Sequence, residues 1–521
     1  MLTLAFLALT TVTVAQTDNA VDADVVLKNA IIYDGSDQPG MVGDVAIKND
    51  RIVAVGKFQT KGAPRVLKCD GLCVSPGFID LHTHSDYPLQ EKKTNANVNY
   101  LTQGVTTVVT GNCGFGPVDT ADYFAKLEKI GIGTNVIHQV PHNAVREKAM
   151  GNVNREPTPK ELKAMEVLVD KGMRDGAWGL ATGLIYNPGT YAKTDELVAL
   201  AKIAGKHGGL YASHIRDEGT EVLISIEEIL TIARRAGLRV HISHIKVSGR
   251  TAWGRAGDVI AMIRRARKDG IEVTADQYPY IASSTSLTDT LIPAKYREGS
   301  TKDMVKRLDD ADIGPKMRKG IEQRIEEHLG GKSVKIARYA KKVAWQGKDL
   351  FTIAEMEKKT PLDIVIEIVK SGGASVVNFG IQDEEMRLFM KEPYVATASD
   401  GASMLISNTV PHPRSYGTFP RKIGRFAIEE KLITLEQAIY SSSGLPADIL
   451  KLPQRGYIKV GYFADLVVFD PKTYRDKATY EKPHQHSTGV RYLFVNGRLA
   501  IEAGRTTDAL AGRVLRHGKK S

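Results

Sequence analysis

The chain has 521 residues, of which 42% are hydrophobic and 25% charged, and this composition excludes a wholly disordered or fibrous protein. Lys and Arg exceed Asp and Glu by 71 to 60, a net charge of +11. The basic residues are spread along the chain without a nucleic-acid-binding module, so the excess reads as surface charge compatible with an anionic substrate.

Residues 2–15 form an apolar run broken only by threonines, and Thr13-Val14-Ala15 before Gln16 has the small residues of a signal cleavage site. The run is too short for a bilayer, which takes ~20 residues. The expectation is a signal peptide over 1–15 and an exported protein, periplasmic or secreted, that is soluble once processed and has no membrane span. Three cysteines, Cys69, Cys73 and Cys113, are too few for a disulfide framework. Cys69 and Cys73 flank Asp70-Gly71, a turn signal, and read first as two buried thiols in a strand pair, with a bridge in an oxidising compartment as the open alternative.

Short strand-like pieces separated by turns open the chain, at 25–27, 30–33, 45–47 and 51–55. Similar pieces close it, at 456–458, 464–470 and 490–495. They predict one small β-domain assembled from both termini, residues 16–73 and 446–521. Between them, over 74–445, β-branched apolar runs alternate with amphipathic stretches such as 226–236 and 259–268, the pattern of a parallel sheet with crossover helices. Strands are expected near 75–81, 106–110, 135–140, 178–182, 210–213, 239–243, 272–276 and 394–399. Eight such units predict an α/β fold, a closed (β/α)8 barrel of the TIM type, with its site at the C-terminal ends of the strands. The gap between strands seven and eight is too long for one helix, and the charge-rich residues 285–345 are expected to form a helical, lid-like insertion.

The metal-capable side chains gather at those strand ends. His82 and His84 close strand one, two residues apart and so on one face. Cys113 follows strand two, His214 ends strand five, His244 ends strand six and Asp400 ends strand eight. A thiolate, several imidazoles and a carboxylate together select zinc. A catalytic zinc keeps one position for water and lowers that water's pKa to about 7. Asp400, followed by Gly401, is the expected general base and acid, taking the proton of the attacking water and giving it to the leaving group. The other histidines have weaker cases. His138 and His241 are assigned to the core; His207, His328, His484, His486 and His517 to the solvated surface; His142 and His412 to the barrel mouth without a metal role.

These residues carry a family resemblance. Val74-Ser75-Pro76-Gly77-Phe78-Ile79-Asp80-Leu81-His82-Thr83-His84 resembles the opening signature of the amidohydrolase superfamily, and 456–470 resembles its C-terminal return. Within that superfamily, Gly111-Asn112-Cys113-Gly114-Phe115-Gly116, Ser213-His214 through Gly219, Ser243-His244-Ile245-Lys246 and Asp276-Gln277-Tyr278-Pro279-Tyr280 resemble motifs of the N-acyl-D-amino-acid deacylase (D-aminoacylase) family. So does His412-Pro413-Arg414 followed by Gly417-Thr418-Phe419-Pro420-Arg421.

The resemblance implies zinc-dependent hydrolysis of the amide of an N-acyl-D-amino acid to a carboxylate and a free D-amino acid, with metal-bound hydroxide as nucleophile and Asp400 as proton shuttle. It implies a tight zinc on Cys113, His214 and His244 and a weaker second site on His82, His84 and Asp400. Cys113 would bridge the two, in place of the carbamylated lysine that many superfamily members carry on strand four, where this chain has no lysine between Trp178 and Gly183. The substrate is then a small anionic amide, and cations at the mouth should clamp its α-carboxylate. Lys246 and Arg414 are the expected clamps and Tyr278 a phenolic donor, with Tyr186 and Ser284 in the pocket lining. Arg216 and Glu218 are expected to pair with each other behind the site. A related amidohydrolase acting on D-dipeptides, on cyclic ureides in the manner of hydantoinases and dihydroorotases, or on another small amide stays open, as does, last, a metal-free binding module.

Overall fold

A computed structural model describes residues 20–518, so the signal peptide expected over 1–15 lies outside the described residues. Eight strands carry the centre: Phe78–Asp80, Val105–Thr110, Asn135–His138, Gly179–Gly183, Leu210–His214, Val240–Ile242, Val273–Gln277 and Val395–Thr397. Their pairings are parallel. They lie in two arcs, one of strands one to three and one that begins at Val140–Pro141, just beyond the third strand, and ends at the eighth. Backbone bonds cross both joints between the arcs. Trp178 N–H donates to the His138 carbonyl at 2.9 Å, Asp400 N–H to the His82 carbonyl at 2.8 Å, and His84 N–H to the Gly401 carbonyl at 2.7 Å.

Strands such as Val105–Thr110 and Leu210–His214 are buried along their whole length, in keeping with sequences that carry no Asp, Glu, Lys or Arg and no strict polar–apolar alternation. The helices between them are amphipathic. Val222–Ala236 buries Val222, Ile226, Ile229, Leu230 and Ala233, one face at helical spacing, and stops at Gly237 in the left-handed region. Pro159–Asp175 starts at a capping box, Thr158 with Glu161, followed by Pro159.

The strand expected at 75–81 is two strands. Cys73–Pro76 belongs to a separate nine-stranded sheet, and the chain crosses at Gly77 into Phe78–Asp80. A Cβ at position 77 would lie 2.3 Å from the Thr106 side chain, so the crossing needs glycine. Cys73–Pro76 pairs parallel with Val25–Ile32 and antiparallel with Leu466–Phe469, so strands from both ends of the chain share this sheet. Residues 456–458, expected to be extended, form no strand. Cys69 and Cys73 are buried free thiols, pushed up to about 11 and about 12 by burial.

The insertion before the eighth strand differs from the helical segment expected at 285–345. Ser283–Ser286, Val334–Arg338 and Ser375–Asn378 form an antiparallel sheet with Ser375–Asn378 in the middle. Thr301–Asp309, Ile313–Glu327, Leu350–Glu357 and Pro361–Lys370 pack with it around a core of its own, from Leu287 to Val376 with Trp345 inside. The unit is therefore mixed α/β and runs from 283 to 378. Among the described residues no helix is long and apolar enough to cross a membrane.

Candidate metal centre

All six expected ligands meet at the ends of the parallel strands. Cys113 Sγ lies 3.3 Å from His82 Nε2, 3.6 Å from His244 Nε2 and 3.7 Å from His214 Nδ1. Asp400 Oδ1 lies 3.0 Å from His84 Nε2 and 3.5 Å from His82 Nε2. His82, Cys113, His214, His244 and Asp400 are buried, and His84 is one-third exposed.

These spacings fit a metal. A sulfur at about 2.3 Å and a nitrogen at about 2.05 Å from one zinc, at the tetrahedral angle, stand about 3.6 Å apart. The Cys113–His244 and Cys113–His214 separations match that figure. Protonation agrees: burial pushes His82 down to about 4 and His214 well below its ordinary value, leaving the neutral imidazoles that ligate. Burial, reinforced by Asp400 and Glu218, pushes the Cys113 thiol well up, so a cation beside it is what converts it to thiolate.

Three of the expected ligands sit where L-residues rarely go: φ is 53° at Cys113, 37° at His244 and 51° at Asp400. Such backbone costs about 1–3 kcal/mol per residue and persists only where neighbours fix it. Around Cys113 the fixing is explicit. Asp86 Oδ1 accepts the Gly111 N–H at 2.6 Å, Asn112 Nδ2 donates to the Val109 carbonyl at 3.0 Å, and a Cβ at Gly114 would collide with Asn143 Oδ1 at 2.2 Å.

Buried carboxylates orient the imidazoles from behind. Asp276 Oδ1 accepts the His244 N–H at 2.7 Å, and its Oδ2 bonds His241 Nε2 at 2.8 Å with His82 Nδ1 at 3.5 Å. Burial alone would raise the Asp276 carboxyl, but His82 and His241 hold it well below the carboxylate range. Asp80 Oδ1 accepts the N–H groups of both His82 and Ser399, at 3.1 and 3.0 Å, tying the first strand to the eighth. Glu218 Oε1 lies 3.0 Å from His244 Nδ1 and 2.6 Å from Lys246 Nζ. With His244 Nε2 turned to the metal position, Nδ1 carries the proton and donates it to Glu218.

The five residues expected to bind substrate lie around this cluster. Arg414 Nη1 pairs with Asp400 Oδ2 at 2.8 Å, and its Nη2 donates to the Ser284 carbonyl at 3.1 Å. Lys246 Nζ donates to Glu218 and, at 2.7 Å, to the His244 carbonyl. The Tyr278 ring faces both cations, with Arg414 4.9 Å and Lys246 5.6 Å from its centroid, and its buried hydroxyl has no partner among the described residues. Tyr186 packs against His214 and Phe115, with ring centroids 5.0 and 5.3 Å away. Ser284 directs its hydroxyl to the Val376 carbonyl at 2.8 Å, so its carbonyl rather than its side chain reaches the site.

Three assignments change, those of Arg216, His142 and His484. Arg216 pairs with Glu228 at 2.9 Å and not with Glu218, because the turn after the fifth strand points it outward toward helix Val222–Ala236. His142 is buried against Glu196 at 3.0 Å and does not line the mouth. His241 is buried as expected, but as a partner of Asp276. His484 lines the cavity beside Asp400, fixed by Tyr416 Oη at 2.8 Å from its Nδ1. His412 lies beneath Arg414, accepting its N–H at 3.0 Å. The roles of Asp80, Asp276 and Glu218 were not drawn from the sequence; the one signal for them is their place beside the ligand motifs.

Residues 65–501 match the amidohydrolase family. A D-aminoacylase of Alcaligenes xylosoxydans xylosoxydans is 33% identical over 94% of this chain and 97% of its own length. An N-acyl-D-glutamate deacylase from that organism is 33% identical over 95% and 96%, and an N-acyl-D-aspartate deacylase 32% identical over 96% of each. Among solved structures, a D-aminoacylase superposes with a TM-score of 0.82 at 32% identity, covering 95% of this chain and all of that one. The N-acyl-D-glutamate deacylase of Bordetella bronchiseptica, complexed with zinc and a phosphonate inhibitor, superposes at 0.81 and 30% identity with the same coverage. The family match, the chain-long identity and the superposition lead to one conclusion: the protein is a metal-dependent hydrolase of the amidohydrolase family and belongs, within it, to the N-acyl-D-amino-acid deacylase (D-aminoacylase) family.

Proposed function

We propose that the chain hydrolyses the amide bond of N-acyl-D-amino acids, releasing a carboxylate and the free D-amino acid. The observation that carries this reading is the convergence of Cys113, His214 and His244 at zinc-ligand spacing, beside a carboxylate paired to a cation. These three would hold the tight zinc, and His82, His84 and Asp400, with Cys113, would offer the weaker second site. Zinc bound there supplies a Lewis acid for the amide carbonyl and acidifies water.

The protein's own groups do the rest. Asp400, poised between His84 and Arg414, takes the proton from water and returns it to the departing amine nitrogen. Arg414 and Lys246 hold the α-carboxylate, and the unpartnered Tyr278 hydroxyl is a donor available to substrate. The Asp400–Arg414 pair opens as the substrate carboxylate takes a share of the guanidinium, which leaves Asp400 closest to the reacting water when substrate is present.

The two arcs belong to one (β/α)8 barrel of 74–445, joined by the backbone bonds at Trp178 and Asp400. The nine-stranded sheet is the core of a small β-domain of 16–73 and 446–521, and the N-terminal run is an export signal. Turnover of N-acetyl-D-amino acids beside D-dipeptides and hydantoins tests the reading. Release of D-amino acid supports it, and cleavage of hydantoins in its place would transfer the chain to the cyclic-ureide group.

A further inference from the structure

A cavity of about 570 Å³ opens from His84 and Asp400, between the loop after the eighth strand and the insertion's three-stranded sheet. Asp400 is the one carboxylate in its lining, and that group is already paired with Arg414. The insertion adds Arg338 to the wall. Several other cations of the insertion are neutralised locally, Arg297 by Asp289, Lys342 by Glu357, Lys359 by Glu367 and Lys370 by Asp309, and none of the insertion's cations but Arg338 lines the cavity. Arg338 ends its strand exposed, with no ion pair or side-chain hydrogen bond among the described residues.

Its direction is set by the sheet. The register of Val334–Arg338 against Ser375–Asn378 shifts between Ile336 and Arg338, and such a bulge re-aims the side chain that follows it. Arg338 then stands opposite Ser375, which lies opposite Ser286 on the third strand. Ser284, two residues from Ser286, is the residue whose carbonyl holds Arg414. Two strand spacings and a two-residue step place the Arg338 backbone roughly 10–12 Å from Ser284. Arg338 thus lines the same cavity as Arg414, the group that would hold the α-carboxylate. The Ser375 hydroxyl stands beside it, and this wall carries no competing acid.

We propose that Arg338 is a specificity-determining residue that receives a second carboxylate, carried on a short arm distal to the scissile amide. A planar guanidinium binds a carboxylate through two parallel hydrogen bonds, which discriminates an acid from its isosteric amide. The inference rests on the deacylase reading above. The arm has two possible sources, the side chain of the amino acid or the acyl group, and the test separates them.

The experiment compares kcat/KM of the zinc-loaded full chain, wild type and R338M, R338K and R338E, on two pairs of substrates. One pair is N-acetyl-D-glutamate and N-acetyl-D-glutamine; the other is N-succinyl-D-leucine and its neutral amide counterpart, N-succinamoyl-D-leucine. The acid-to-amide ratio is expected to fall about tenfold or more in R338M, further in R338E, and to return in part in R338K, in the pair whose arm reaches Arg338. A folding defect would lower both members of a pair and leave the ratio unchanged. Ratios equal to wild type in both pairs, in R338M and R338E alike, would overturn the assignment. Failure of the wild type on all four substrates would instead contradict the deacylase reading itself, and the role of Arg338 with it.

Discussion

Asp400 Oδ2 and Arg414 Nη1 form a buried ion pair at 2.8 Å, while Asp400 Oδ1 faces His84 Nε2 at 3.0 Å. Burial pushes the Asp400 carboxyl up; Arg414, His244 and His82 outweigh it and hold the group well below the carboxylate range. Asp400 is therefore an anion at rest, and its basicity rises only when the substrate carboxylate draws Arg414 away from it. D400N should keep its fold and the zinc on Cys113, His214 and His244, yet lose about 10²–10⁴ in kcat. Steady-state kinetics beside metal analysis checks this, and unchanged kcat would remove the proton-shuttle role.

The ligand assignment makes a second prediction. C113A combined with H214A removes two of the three tight ligands, so the purified variant should hold less than about a tenth of a zinc per chain against about one in the wild type. Mass-spectrometric metal analysis after dialysis measures it. Full retention would show that the metal sits elsewhere.

Glu218 bonds both His244 Nδ1 and Lys246 Nζ. E218Q keeps the shape but loses the negative charge that favours the Nδ1–H tautomer of His244. Zinc affinity, read by chelator competition, should weaken about 10–100-fold. An unchanged dissociation constant would mean that Glu218 only anchors Lys246.

Lys422 gives a pH-dependent test away from the metal. It is 2% exposed, and burial pushes its ammonium from 10.5 down to about 7. Between pH 7 and about 10 the unfolded chain holds a proton that the folded chain has released, so stability rises with pH across that window. Below pH 7 both states are protonated and the full cost of the buried charge, roughly 4–5 kcal/mol, is present. K422M should therefore raise Tm at pH 7 by a few degrees and flatten the rise toward pH 10. Parallel Tm–pH curves for the two proteins would contradict it.

The site was more legible in the sequence than the parts that frame it. His82, His84, Cys113, His214, His244 and Asp400 announce themselves because each ends an apolar run, and a parallel strand buried on both faces leaves a long apolar record. The break at Gly77 was not legible, since Cys73–Pro76 and Phe78–Asp80 are equally buried and differ only in their partner sheet. The insertion's sheet was hidden for the opposite reason: Ser283–Ser286 is half-buried and made of Ser and Thr, with no apolar periodicity. Long-range pairs such as His484 with Tyr416, or Arg216 turning to Glu228, depend on loop directions that spacing does not encode.

The central claim, zinc-dependent cleavage of N-acyl-D-amino acids, is tested most directly by enantiomer-resolved turnover. The zinc-loaded chain is given a panel of N-acetyl-D- and N-acetyl-L-amino acids, acidic side chains included, and the released amino acid is measured with and without prior chelation. The account predicts release from D-substrates that disappears on chelation and returns with about one zinc per chain, with L-enantiomers left largely intact. Equal turnover of the L-series, or D-turnover that survives removal of the metal, would contradict it.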